Sequence, residues 1–348
     1  MFNRLGKLYQ QDLNTILNAC DLTQLNGKKV LVTGASGLIG SCIVDLLVLY
    51  NLTRGGDIQI FACGRTQLKL QSEFGFYFPF DEAKLNFIEN DITKGDLVGK
   101  WDYIFHCASP TQSMEMKARP SGVMLDIING TRTVLNCLTD NGTFVYLSSC
   151  EVYGDVRSGT VSEKQCGDID LMNTRSCYIE GKRASELLSR CYVENNDRKL
   201  IVVRPGKVFG PMFSENDNRA CAAFFRDAVT KSKITIKNDG RQYFTFTYVI
   251  DCVYLIMLAL SKCNEKVSVY NVATYQSQMS IRDFAYKICR ALGITYTFGE
   301  GEGFVVNGYA GTNCLLDGSK AYRELEYQDI IGVDSGIKHT ILELYGED

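Results

Sequence analysis

Short β-branched runs alternate with helix-length segments through the first two-thirds of the chain. "KKVLVTG" at 28–34 is followed by the apolar segment "SCIVDLLVLY", and "DIQIFACG", "LNFIENDI", "DYIFHCAS", "GTFVYLSS" and "KLIVVRPG" come after it in turn. These runs are apolar throughout rather than alternating, which suits parallel strands covered on both faces. Strands separated by helices read as βαβ units, and right-handed crossovers bring the strand C-terminal ends to one crevice. The expected fold is therefore α/β: a Rossmann-like, doubly wound parallel sheet.

Past Pro205 the pattern loosens. "GPMFSENDNR" is a polar loop, and the remaining chain mixes short strands and helices, predicting a smaller C-terminal substrate lobe. The expected division is a helical extension over 1–27, a dinucleotide lobe over 28–205 plus about 243–272, and a substrate lobe over 206–242 plus about 273–348. The N-terminal stretch reads as an amphipathic helix and not as a secretory signal. The longest apolar stretch, Tyr248–Leu260, is interrupted by Asp251 and is too short for a bilayer.

Composition narrows the chemistry only slightly. A net charge of −3 over 348 residues gives no general surface for nucleic acid or anionic membrane, so local groups must hold any anionic ligand. The 14 cysteines show no C-x-x-C pair and no clustering with His106 or His339, so neither a structural metal nor a disulfide framework is expected. Cysteines scattered through apolar runs behave as small hydrophobes, and a reducing cytoplasm is the expected compartment.

"VLVTGASGLIG" places Gly34, Gly37 and Gly40 after a strand and at the opening of a helix. Such glycines make a tight turn, admit a pyrophosphate close to backbone and let helix and strand pack. Ser36, Leu38 and Ile39 lie within the same turn and join the candidate cofactor residues, with Asp91, Ile92 and Ala108 at later strand ends. The cofactor is NAD or NADP. The second strand ends Cys63-Gly64-Arg65 with no carboxylate for a ribose hydroxyl, and Arg65 leans the reading toward NADP through a 2′-phosphate. A solvated surface arginine is the alternative.

"LSSCEVYG" sets Ser149, Cys150 and Glu151 at a strand end, and "CYIEGKRASELL" sets Tyr178 and Lys182 at i, i+4 on one helical face. An ammonium beside a phenol favours the phenolate, so Lys182 is expected to lower Tyr178 toward a useful base. With Ser149 across the gap, that pair can take the proton of a secondary alcohol whose hydride leaves to a nicotinamide.

Together "TGASGLIG", "SSCEVYG" and "SCYIEGKRASE" resemble the extended short-chain dehydrogenase/reductase family of nucleotide-sugar epimerases, dehydratases and decarboxylases, over about 28–252. The resemblance implies bound NAD(P), a nucleotide-diphospho-sugar substrate and a homodimer. It carries the catalytic triad onto Ser149, Tyr178 and Lys182, and it puts Glu151 where dehydratases and UDP-glucuronate decarboxylases keep an acid/base Glu. "RSCYIEGKR" is closest to the decarboxylase branch. The departures are specific to this chain. Cys150 stands where those enzymes have Asp or Ser, as a weak proton donor or as packing. Lys207 stands where an Asn usually contacts substrate, within reach of a phosphate or a sugar carboxylate. Phe244 replaces an Arg near the diphosphate, with Arg241 three residues earlier, and "GTNCLLDGSKA" lacks the arginines that decarboxylases place there. Arg219 matches a phosphate-contacting position, and Ser109 completes the candidate substrate residues.

The leading expectation is transient oxidation of a sugar carbinol followed by Glu151-assisted decarboxylation or dehydration. The alternatives are epimerisation, which leaves Glu151 without a role, and net NADPH-dependent reduction, motivated by Arg65. A non-enzymatic NAD(P)-binding protein would have no need of the triad.

Overall fold

Along the strand that opens with Lys29, Val30 and Val32 enter one apolar cluster and Leu31 enters another, so both faces of the sheet are covered. The computed structural model describes residues 6–156, 159–194, 196–214, 217–299 and 315–345. All six anticipated runs are strands: β1 (Lys29–Thr33), β2 (Gln59–Gly64), β3 (Leu85–Glu89), β4 (Trp101–His106), β5 (Leu138–Leu147) and β6 (Lys199–Pro205). A seventh, β7 (Val267–Val272), pairs with β6, giving the parallel order β7-β6-β5-β4-β1-β2-β3. Leu31 is level with Phe61 on β2 and Ile104 on β4. The order reverses between β1 and β4, which opens the crevice a doubly wound sheet uses for ligands.

The longer helices are α1 (Lys7–Ala19), α2 (Leu38–Arg54), α3 (Pro120–Leu135), α4 (Ser176–Glu194), α5 (Ala220–Lys231), α6 (Val249–Lys262), α7 (Ile281–Leu292) and α8 (Val333–Tyr345). Helices α1, α2 and α6 pack together on one face of the sheet, and α3 and α4 on the other. The apolar stretch read at 248–260 is α6, buried from Val249 to Leu260. A fully buried aliphatic side chain contributes about 1.5–3 kcal/mol, so this helix is a main source of core stability. Among the described residues no helix is long and apolar enough to cross a membrane.

A smaller layer continues the α1–α2–α6 cluster without a break. Its three-stranded sheet runs Gln278–Ser280, Tyr243–Tyr248, Lys207–Phe209. Phe209, Phe225, Phe246 and Phe284 interlock beneath it, with Phe246 and Phe284 stacked at 4.3 Å. Strand Tyr243–Tyr248 belongs to this small sheet, whereas β7 belongs to the large one. Behind the strand, the Tyr248 hydroxyl donates to Asp12 on α1 at 3.0 Å, and His339 on α8 meets the same carboxylate at 2.9 Å.

Asp251, the polar interruption in α6, is only 1% exposed. Its carboxylate accepts the N–H groups of Ile330, Ile331 and Gly332 at 2.7, 3.0 and 2.9 Å, pinning the segment that leads into α8. Burial and the nearby Asp329 push it up from 3.8 to about 7. The folded state then holds a proton that the unfolded chain releases, so the associated stability is present at low pH and lost as pH rises from about 4 through about 7. Urea unfolding at pH 5 and pH 8 is expected to show a larger loss for the natural chain than for Asp251→Asn, in which this contribution is absent. Equal losses would leave the proton without a role.

Candidate active site

The glycine turn joins β1 to α2, and two of its glycines are required by geometry. Gly34 has φ +65°, and a Cβ there would stand 2.7 Å from the Ala108 amide nitrogen. A Cβ on Gly40 would overlap the Gly34 carbonyl oxygen. Gly37 ends the turn as the residue before α2, with no side chain capping the helix's first amides. Ser36 sits in the turn, Leu38 is buried, and Leu38 and Ile39 line the floor of the adjoining cavity. Close to the turn, the Ser109 hydroxyl is buried without a hydrogen-bond partner. A cradle that side chains would fill, open helix amides and an orphaned hydroxyl all fit a dinucleotide.

At the cofactor's far end the fit is looser. Asp91 already caps its own turn through Thr93, Ile92 packs against Gly130 of α3, and Arg65 is exposed after β2, where its charge acts on Asp91.

Beside the turn lies a cavity of 340 Å³, at the lower end of the usual size for small-molecule pockets. It is lined by Ser149, Cys150, Glu151 and Tyr178 together with Lys207, Phe244, Phe246, Asp217 and Arg219. Ser149 accepts the Glu151 amide at 3.2 Å, which fixes the short helical turn Cys150–Tyr153. Cys150 is 3% exposed and belongs to a small apolar cluster with Val152 and Leu316. Lys207 lies 3.9 Å from Glu151, with its ammonium 4.9 Å from the centre of the Phe244 ring.

Tyr178 reaches the cavity, but Lys182 does not lower it as the i, i+4 spacing leads one to expect. Burial pushes the phenol up and Glu151 adds to the rise; the groups pulling it down are Ser149 and Arg175. Lys182 is buried behind it, donating to the Leu147 carbonyl at 2.7 Å and lying over the Tyr146 ring at 4.9 Å. That burial lowers the amine to about 8, against the raising influence of Cys107 and Glu186.

Two other assignments shift. Arg219 is engaged with Asp217, which accepts its Nε at 3.0 Å and its Nη2 at 2.5 Å. Arg241 is not among the residues lining the cavity; its side chain is 81% exposed and faces Asp239. Three residues from the position where the family's arginine would stand, the Arg241 side chain is directed to solvent. Residues 311–314, at the start of the stretch read as lacking arginines, lie outside the described residues.

Sequence reading gave no role to Arg175. Its Nη2 donates to Glu151 at 2.6 Å, and its guanidinium lies 5.6 Å from the Tyr178 ring centre. Its Nη1 is buried with no partner. The available signal was its place three residues before Tyr178. Also missed was a brace behind the strand end: Arg204 on β6 donates to both oxygens of Glu186 on α4, at 3.0 and 2.5 Å, while Ser148 donates to the same carboxylate. Arg204 further donates to the Tyr153 hydroxyl at 3.0 Å. Among the described residues no three His, Cys, Asp or Glu side chains come together as a metal site.

Residues 30–273 match the family model described as the NAD dependent epimerase/dehydratase family. UDP-glucuronic acid decarboxylase 2 of Arabidopsis thaliana is 28% identical over 250 residues, covering 71% of this chain and 53% of the relative. UDP-glucuronic acid decarboxylase 1 of Xenopus tropicalis is 28% identical over 277 residues, covering 78% and 62%. The chain thus spans about half the length of the first of these relatives. Among solved structures, a dTDP-glucose 4,6-dehydratase from Streptomyces venezuelae with NAD bound superposes with a TM-score of 0.76 at 20% identity, covering 90% of this chain and 96% of the other. A UDP-glucuronic acid 4-epimerase from Bacillus cereus, in complex with UDP-glucuronic acid and NAD, gives 0.71 at 24% identity over 91% and 99%. At these identities the likeness establishes the fold.

Proposed function

The chain belongs to the NAD dependent epimerase/dehydratase family, and from that premise we propose that it modifies a nucleotide-diphospho-sugar by transient oxidation of a ring carbinol followed by Glu151-assisted decarboxylation or dehydration. The observation that carries this reading is that Glu151 lines the same cavity as Ser149 and Tyr178, with its amide donating to the Ser149 hydroxyl. An enzyme that only oxidises and re-reduces one carbinol has no use for a carboxylate there.

The Gly34–Gly40 turn and Ser109 would hold the dinucleotide. A nicotinamide, when bound, supplies the site's capacity to accept and return hydride. Tyr178 receives the carbinol proton, directly or through the Ser149 hydroxyl, with Ser149 and Arg175 pulling toward its ionised form against the larger opposing effects of burial and Glu151. Lys182, its amine lowered by burial to about 8, lies behind Tyr178 on the Leu147 carbonyl. Glu151 moves the second proton, at a carbon made acidic by the neighbouring ketone.

Between NAD and NADP, the missing carboxylate at the end of β2 favours NADP, while Asp91 competes for Arg65. The division into cofactor and substrate lobes belongs to the same reading. So does a homodimer, for which α3 and α4 offer Leu125 and Leu187, 56% and 63% exposed.

The test is to incubate the protein with UDP-, dTDP-, GDP- and CDP-sugars and either NAD or NADP, and to weigh the products. Loss of carbon dioxide or water without net consumption of cofactor is expected. An unchanged mass with an inverted hydroxyl would leave epimerisation in its place, and steady oxidation of added NADPH would make the protein a reductase.

A further inference from the structure

The Glu151 carboxylate is shared between two cations on opposite sides. Arg175 donates to Oε2 at 2.6 Å, and the Lys207 ammonium stands 3.9 Å from Oε1. The two cations differ in exposure. Arg175 lies behind the wall, with Nη1 buried and lacking an acceptor, whereas Lys207 lines the cavity with 39% of its side chain exposed.

An arginine presents two parallel N–H donors matched to a carboxylate. A small rotation of Glu151 that brings both its oxygens onto Arg175 would satisfy the orphaned Nη1 and take Oε1 away from Lys207. A buried donor without a partner costs free energy, so the second arrangement has a driving force of its own. What it loses is the attraction to Lys207, and a second anion entering the cavity at Lys207 would compensate for that. The Phe244 ring backs the ammonium, its centre 4.9 Å away.

We propose that Lys207 is a specificity-determining residue that receives the carboxylate of an acidic sugar, and that its occupation hands Glu151 over to Arg175. This rests on the nucleotide-sugar reading above and deepens it. A neutral sugar leaves Glu151 divided between the two cations. An acidic one releases it toward the phenol side, so that substrate charge is coupled to the position of the acid/base group. No bond is made or broken in the exchange; one carboxylate replaces another at an ammonium.

An anion at Lys207 could be the sugar carboxylate or the diphosphate, and binding calorimetry separates them. UDP-glucuronic acid, UDP-glucose and UDP are titrated into the natural chain and into Lys207→Met, which keeps the length of the side chain without its charge. The expected result is a loss of about 10- to 100-fold in affinity for UDP-glucuronic acid alone, as for one charge-assisted contact. UDP and UDP-glucose should change less than about twofold, which also shows that the variant site is intact. Equal losses for all three would place the diphosphate at Lys207 and overturn the proposal. UDP-glucose and UDP-glucuronic acid binding equally well to the natural chain would overturn it too, while leaving the nucleotide-sugar reading in place. If none of the three binds the natural chain, the proposal falls, while the nucleotide-sugar reading is decided by the dTDP-, GDP- and CDP-sugars of the wider panel.

Discussion

Replacing Tyr178 with Phe should lower turnover by about 10²- to 10⁴-fold, the usual worth of a positioned acid/base group, with cofactor affinity and melting temperature little changed. The ring packs with Met116, Val123 and Ile127, and phenylalanine keeps those contacts. Only the hydroxyl is lost, and with it the phenolic oxygen assigned to accept the proton of a carbinol beside Ser149. Product formation under single-turnover conditions, alongside a cofactor-binding titration, measures this directly. Near-normal turnover would move the base elsewhere. An inactive variant that also fails to bind cofactor would say nothing for Tyr178 as a base, so the titration is part of the measurement.

The second large effect should come from Glu151→Gln, and its form is more informative than its size. The amide keeps the side chain's shape but neither accepts nor releases a proton at neutral pH. Oxidation of the carbinol should therefore proceed, and the step after it should slow by about 10²- to 10⁴-fold. Quenched reactions analysed by mass spectrometry should show a keto-sugar two hydrogens lighter than the substrate, accumulating with reduced cofactor. Final product formed at the natural rate would reduce Glu151 to an ion-pair partner of Arg175.

Much of this architecture is legible in the chain itself. Six strands are legible because buried parallel strands carry unbroken β-branched runs, and the glycine turn because its spacing is set by close backbone approach. The edge strand β7 is harder: "VSVYNV" is interrupted by Ser268 and Asn271 and is neither unbroken nor alternating. The carboxylates of the site are legible as residues but not as partners. Arg204 and Glu186 are 18 positions apart on a strand and a helix, and nothing local announces that they meet. The i, i+4 spacing puts Tyr178 and Lys182 on one helical face, yet it cannot show that the amine turns back to the Leu147 carbonyl. Charge influence depends on burial and direction as well as on neighbourhood. For the same reason the sequence overvalues Arg241 and hides Arg175.

Strand Tyr243–Tyr248 offers a handle on the cavity that involves none of its chemistry. Phe244 and Phe246 form part of the wall, and two residues further on Tyr248 is tethered to Asp12 from behind. Loosening that rear anchor should let the strand drift and widen the cavity. The shape of the cavity is therefore open to adjustment from the back of the molecule, through a residue outside its lining.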